Sequence, residues 1–464
     1  MKFKPDHLVI DSENPFKFDA LKREQSIQAL TGFIDSINGP FVLAIDSPWG
    51  TGKTAFIKMW QAHLEKQNQK TLYFNAWESD FSTDPMVAFV AEISSLMEGF
   101  QKENGSYKPH LAKTRKIATA LAKRVIPAAI RIGTAGILNL DDFTEEAIGN
   151  AAAEGAKDAI DLYAAEKSLM KQFHAALNAT IESLKESKKK PTLIIFIDEI
   201  DRCRPTYAID LLERIKHLFN IENAIFVIAL DKEQLSVSLK GVYGEGLNTN
   251  EYLRRFIDVE FNLPSIDTKS FTANLISRFS FKDYFVDRKG ELAYDFESFT
   301  DTFNGLASAY DLTLRQREHC FTRIALALNS TPANHYLHPI PLTILTILNI
   351  AEKNLYRSFV FDKGTATDVI NSISSTSGGK KFTSSHLGKL IQGCLIALKV
   401  DRENETNDEL EVYRLDATDD SNPKIQTRAK EMLEFIQHFR KHAYNGLNMQ
   451  YMKNKIELAA QLFD

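Results

Sequence analysis

The 464-residue chain is 44% hydrophobic and 25% charged, an ordinary globular composition with length for two to four compact units at roughly 150 residues each. A formal charge of −5 gives no global reason to expect nucleic-acid binding, which stays open only as a local basic groove. Three widely spaced cysteines, Cys203, Cys320 and Cys394, form no CxxC pair; they exclude a disulfide framework or zinc knuckle as the basis of the fold and fit a reducing cytoplasm.

In chain order, the N-terminal stretch MKFKPDHLVIDSENPF lacks an apolar h-region and a small-residue cleavage site, so secretion is not expected. Residues 41–45 read as a short apolar strand, followed by a glycine-rich turn and a helix carrying apolar residues from Phe56 to Leu64 at helical spacing. Residues 71–75 read as a second strand entering an aromatic turn, and DPMVAFVAEISSLMEGF as a helix capped by Asp84 with Pro85 at its first position. This alternation predicts a parallel sheet. Residues 101–190 interrupt it with polar and alanine-rich sequence, expected to be a mostly helical insertion. The strand signal returns in PTLIIFIDEIDRCRP and NAIFVIALDKEQL, each an apolar run ending in a carboxylate. Between them TYAIDLLERIKHLFN is amphipathic, with Ile209, Leu212, Ile215 and Phe219 on one side. After Pro264 the pattern is mainly helical, and the serine- and glycine-rich residues 371–385 are expected to be a flexible joint before the last helices.

Gly50, Gly52, Lys53 and Thr54 in DSPWGTGKTAF supply what a triphosphate needs: backbone N–H groups free of side-chain bulk, an ammonium for the β and γ phosphates, and a hydroxyl for Mg²⁺. The candidate nucleotide-binding set is Trp49, Gly50, Thr51, Gly52, Lys53, Thr54 and Ala55, with the N-terminal dipole of the next helix behind it. A P-loop ATPase also needs a strand-ending carboxylate to hold Mg²⁺ through water and a second group to orient the attacking water. LIIFIDE offers both: Asp198 joins Thr54 as the metal pair, and Glu199 is positioned as general base. ATP and Mg²⁺ are the expected cofactors. The bland alternative is a buried strand that ends in two solvated acids. Asp201 and Arg202 read as a local ion pair, with a catalytic group as the alternative. Asp231, ending the next strand, reads either as a polar sensor of the γ phosphate or as an unremarkable strand-ending cap.

Four stretches together resemble the KAP family of P-loop NTPases, a group within the STAND and AAA-like branch. PWGTGKTAF is similar to its W-G-x-G-K-T loop, YFNAWESD to its F-N-A-W segment, FIDEIDRCRP to its D-D-x-D-R-C signature, and EYLRRFIDVEFNLP to its Y-L-x-K-I stretch with an F-x-L-P end. The likeness runs from about residue 16 to 264, and more weakly to about 350. It implies an α/β fold with a three-layer P-loop core on a parallel sheet, a helical insertion and a C-terminal α-helical domain. The expected boundaries are 1–100 for the first half of the core with Walker A, 101–190 for the insertion, 191–265 for the second half with Walker B and sensor 1, 266–370 for a helical lid or extension, and 371–464 for a last helical region. The resemblance also implies Arg315 as a sensor arginine and Arg254 or Arg255 as a finger acting in trans, although arginines on amphipathic helices often lie on a solvated face.

Three departures qualify the likeness: Ser47 stands where the loop normally opens with glycine, Glu199 stands for the second aspartate, and no clear membrane span interrupts 101–190. The candidate there, residues 117–140, contains Lys123, Arg124 and Arg131, and each central basic residue costs about 2.5–3.5 kcal/mol to insert. At most it is a basic interfacial helix on anionic lipid. The resemblance to soluble bacterial members therefore implies a cytoplasmic ATPase acting as a nucleotide-controlled switch or assembly device, with anti-phage defence as its setting and a homo-oligomer or separate effector protein as partner. The alternative is a weakly hydrolysing nucleotide-binding scaffold that recruits partners at a membrane surface.

Overall fold

Apolar strand signals build one five-stranded parallel sheet, in which β1 (Phe41–Asp46), β2 (Lys70–Asn75), β3 (Leu193–Asp198), β4 (Ala224–Leu230) and β5 (Val259–Asn262) lie in the order β2-β3-β4-β1-β5. The computed structural model describes residues 10–17, 19–82, 85, 88–89, 91–93, 95, 109–110, 112–117, 158–183, 192–215, 221–222, 224–264, 268–286, 294–331, 337–400, 407–441 and 449–461. The expected Asp84 cap, Phe219 and nearly all of 117–140 lie outside them.

β3 and β4 are buried along their whole length, which is why LIIFI and AIFVIAL are continuous apolar runs rather than alternating ones. Alternate residues feed opposite faces of the sheet. Leu43 and Ile45 of β1 with Ile194 and Phe196 of β3 pack against Ile27, Leu30, Phe56 and Trp60, from α1 (Glu24–Ser36) and α2 (Lys53–Lys66). Val42 and Ala44 with Ile195 and Ile197 face the other way, onto α3 (Asp158–Ser183), α4 (Pro205–Ile215), α5 (Lys232–Tyr243) and α6 (Thr249–Leu253), through Phe173, Leu177, Leu212, Leu235 and Leu253. Helix, sheet and helix form the three-layer α/β core. α3 lies in the segment expected as a helical insertion, and its Phe173, Leu177 and Ile181 are core residues.

By contact the chain divides into two compact units: Val9–Asp19 with Arg23–Ser265 carries the sheet, and Met1–Leu8, Ala20–Lys22 and Ile266–Asp464 form the other. The described elements of the second unit are helical. They include α7 (Thr268–Arg278), α8 (Lys282–Phe285), α9 (Asp295–Ala309), α10 (Leu314–Asn329), α11 (Pro339–Ala351), α12 (Lys353–Phe361), α13 (Ala366–Ser375), α14 (Gly379–Thr383), α15 (His386–Lys399), α16 (Asp408–Asp416), α17 (Pro423–Lys441) and α18 (Met449–Gln461). Its core contains an aromatic nest in which Phe321 lies 4.7 Å from Phe303 and 4.8 Å from Phe281, centroid to centroid. Beside it Arg317 is fully buried, with Nε donating to the Leu312 carbonyl at 3.0 Å and Nη1 unbonded among the described residues. Burial pushes this guanidinium down to about 10.

The flexible joint expected at 371–385 is corrected by the structure: α13 and α14 occupy most of it. Its polar and small residues are caps and close-packing positions. Gly378 adopts φ +80° before α14, a Cβ on Gly379 would meet the Ile373 carbonyl oxygen at 1.7 Å, and the Ser385 hydroxyl accepts from Gly388 N–H at 3.2 Å to start α15.

Candidate functional site

The loop after β1 takes its shape from two glycines. Positive φ falls on Gly50 (79°) and Gly52 (89°) and not on Ser47, so the serine at the loop entry sits in backbone any residue adopts. Ser47 N–H donates to the Leu230 carbonyl at 3.2 Å, continuing the pairing of β1 with β4, and its hydroxyl lies 2.7 Å from that of Thr51. α2 begins immediately after Gly52, which aims the N-terminal N–H groups and dipole of the helix, with Lys53, Thr54 and Ala55 in its first turn, at the loop. The Lys53 ammonium is folded back onto the loop, donating to the carbonyls of Ser47 at 2.5 Å and Pro48 at 3.2 Å. Burial lowers its pKa, opposed by Asp201, Asp231 and Asp198.

The acidic side comes from the end of β3. Asp198 is 0% exposed, and its Oδ1 accepts from Glu199 N–H at 2.9 Å while Oδ2 accepts from the Tyr73 hydroxyl at 3.0 Å. The Thr54 side chain lies close enough to act on the same carboxylate, so the two expected metal-side residues meet. Burial raises the Asp198 pKa, and Thr54 and the Tyr73 hydroxyl oppose that rise. Burial likewise raises the Tyr73 phenol, reinforced by Asp198, so that it stands as a donor.

Glu199 has φ 62°, in the left-handed region that a non-glycine residue occupies only under local constraint. That turn brings its carboxylate 2.5 Å from Arg202 Nη1 and within 3.2 Å of Asn75 Nδ2. Asn75 Oδ1 meanwhile accepts from Trp77 N–H at 3.1 Å and Glu78 N–H at 3.3 Å, and the Arg202 guanidinium lies 5.9 Å over the Trp77 ring.

The ion pair expected between Asp201 and Arg202 is not what the structure contains. A 3-10 turn over Ile200–Arg202 swings the arginine back to Glu199, three residues earlier, and points Asp201 inward. Asp201 Oδ2 accepts from the Trp49 indole at 2.5 Å and from Asp231 N–H at 3.0 Å, and lies 3.9 Å from Lys53 Nζ; its Oδ1 is buried without a partner among the described residues. Burial raises the Asp201 pKa and Lys53 lowers it. Asp231 caps α5, accepting from Gln234 N–H at 3.2 Å, and with its other oxygen accepts from Trp49 N–H at 2.9 Å. Trp49 is thus held by one carboxylate at its backbone and another at its ring.

The expected arginines are all exposed. Arg254 and Arg255 are exposed at the end of α6, one paired with Glu251 at 2.6 Å and the other 5.8 Å over the Tyr252 ring. Arg315 is exposed in the first turn of α10, in the helical unit. Tyr73 and Asn75 lie in the YFNAWESD stretch, but their roles, like the inward role of Asp201, are not given by the motifs. The available signal for the first two is spacing: positions two apart on a strand share a face.

Lys53, the loop N–H groups and the α2 N-terminus are donors suited to phosphate oxygens, and Thr54 beside a buried carboxylate with no lysine or arginine partner among the described residues suits a cation. Mg²⁺ retains several waters and needs only one or two protein ligands plus phosphate, so this pair fits it. Among the described residues no cluster of three His, Cys, Asp or Glu side chains offers a fuller metal cage, and no helix is long and apolar enough to cross a membrane.

Residues 23–324, more than half of the chain, match the model of the KAP family P-loop domain. Among solved structures the chain is similar to the Aeropyrum pernix ORC1 protein in complex with DNA, at 12% identity, covering 96% of this chain and 94% of that one with a TM-score of 0.34. It is also similar to Drosophila ORC bound to GC-rich DNA and Cdc6, at 10% identity, covering 95% of this chain and 62% of that one with a TM-score of 0.33. Likeness this distant carries no functional argument. No curated protein matches the chain.

Proposed function

The chain belongs to the KAP family of P-loop NTPases, and from that premise we propose that it binds and hydrolyses ATP with Mg²⁺ and uses the nucleotide as a switch for self-assembly or for engaging a separate effector. The observation that carries this reading is the meeting of Thr54, from the start of α2, with Asp198, from the end of β3. In the proposed cycle Lys53 leaves the carbonyls of Ser47 and Pro48 for the β and γ phosphates, while the N–H groups from Gly50 to Ala55 cradle them. Thr54 directly, and Asp198 through water, would hold Mg²⁺, which supplies charge neutralisation of the phosphates. Glu199 gives up Arg202 or Asn75, its side-chain partners among the described residues, and accepts a proton from the water whose oxygen bonds to the γ phosphorus as the bond to ADP breaks.

Phosphate release from ATP tests the enzyme directly: activity in the wild type, none in Lys53→Ala and slow turnover with retained binding in Glu199→Gln are expected, and equal rates in all three proteins would refute it. The switch requires that mass in solution change when ATP is added; an unchanged mass with or without a candidate effector counts against it. A setting in anti-phage defence is supported by family resemblance alone. Plaque counts on cells carrying the wild type or Lys53→Ala decide it, identical counts being the negative result.

A further inference from the structure

We propose that Tyr73 is a positioning residue for the metal, its hydroxyl setting the Asp198 carboxylate in the orientation from which it holds the water shell of a divalent cation beside Thr54. The inference rests on the ATPase reading above and assigns a residue that lies in neither phosphate-loop nor acidic motif. β2 runs parallel to β3 with Tyr73 opposite Phe196 and Asn75 opposite Asp198. Strand alternation puts Tyr73 and Asn75 on one face, and they reach consecutive acids: Tyr73 donates to Asp198 at 3.0 Å and Asn75 to Glu199 at 3.2 Å. β2 therefore sorts the two carboxylates, one donor to each.

A carboxylate held at one oxygen alone keeps more freedom about its χ2 bond than one held at both. In Asp198 one oxygen is pinned by the following backbone N–H and the other by the phenol, so its plane and remaining lone pairs are set before any cation arrives. The Tyr73 ring has separate packing, with Lys58 Nζ 5.3 Å from its centroid. Tyr73→Phe keeps that ring and deletes only the hydroxyl.

The test uses the full chain and a fluorescent ATP analogue, with binding followed as Mg²⁺ is titrated at fixed nucleotide. Tyr73→Phe is expected to raise the Mg²⁺ concentration at half-saturation by about tenfold. Nucleotide binding in EDTA is expected to be the same for wild type and Tyr73→Phe. A Mg²⁺ curve for Tyr73→Phe that overlays wild type overturns the proposal, and so does an equal loss of nucleotide binding with and without Mg²⁺. A melting temperature without nucleotide separates lost folding from a metal effect. A wild type that binds no nucleotide at any Mg²⁺ concentration overturns the ATPase reading itself; Mg²⁺-dependent binding with an unmoved Tyr73→Phe curve overturns only the role of Tyr73.

Discussion

The Trp49 indole donates to the Asp201 carboxylate at 2.5 Å, so the one aromatic residue of the phosphate loop is hung from the acidic turn after β3. The same oxygen accepts the Asp231 N–H at 3.0 Å, and Asp231 in turn holds the Trp49 backbone. Loop, acidic turn and the end of β4 are thereby joined through two carboxylates.

Removing Asp201 should therefore damage both stability and binding. Asp201→Ala leaves the buried Asp231 N–H without an acceptor and is expected to lower stability by about 1–3 kcal/mol. Asp201→Asn keeps an acceptor and loses the charge beside Lys53, so it should fall between the two. Chemical denaturation checks the stability ranking, and a nucleotide titration should follow the same order.

Lys53→Ala is expected to weaken ATP binding by at least about 100-fold, since each charge-assisted contact to phosphate is worth about 1.5–3 kcal/mol. Glu199→Gln should bind ATP as tightly as wild type and turn it over about 10²–10⁴ times more slowly, the usual contribution of a general base. Equilibrium binding and phosphate release measured on the same preparations separate the two effects.

The loop entry tolerates change where its glycines do not. Ser47 has no positive φ, so Ser47→Gly should leave ATP affinity and turnover as they are and cost only about 0.5–1 kcal/mol in backbone entropy and the lost Thr51 contact. Gly52→Ala must hold a side chain at φ 89°, at a cost of about 1–2 kcal/mol, in the segment meant to approach phosphate. Calorimetric titration with ATP should show affinity lost in the second variant alone. A large gain in turnover for Ser47→Gly would instead mark the serine as a brake.

Arg317 is a buried cation with a single hydrogen bond among the described residues, to the Leu312 carbonyl. Apolar replacements of poorly compensated buried charges are commonly neutral or stabilising, so Arg317→Met should stay within about 1 kcal/mol of wild type or exceed it. Arg317→Ala removes the same charge but leaves a void and should lose about 2 kcal/mol or more. Thermal melts of the pair distinguish packing from charge.

Features with local causes were legible in the sequence. The strand, glycine turn and helix around Lys53 follow from spacing within about a dozen residues, and the apolar run before Asp198 announces a buried strand end. What escaped depends on register between distant segments: Tyr73 reaches Asp198 only because β2 pairs with β3. Adjacency alone pairs Asp201 with Arg202, but the 3-10 turn sends Arg202 to Glu199 and frees Asp201 for Trp49. Residues 371–385 misled by composition, since serine and glycine serve as helix caps and close-contact positions as readily as they make linkers.

β2 occupies the outer edge of the sheet, hydrogen-bonded among the described residues to β3 alone. Edge strands open at lower free energy than central ones, and here the edge strand carries the donors to both acids. A change at the acids is thus transmitted to a backbone restrained by one neighbouring strand. The deuterium uptake of residues 70–75, set against that of the central strand β4, becomes a label-free gauge of whether the nucleotide site is filled.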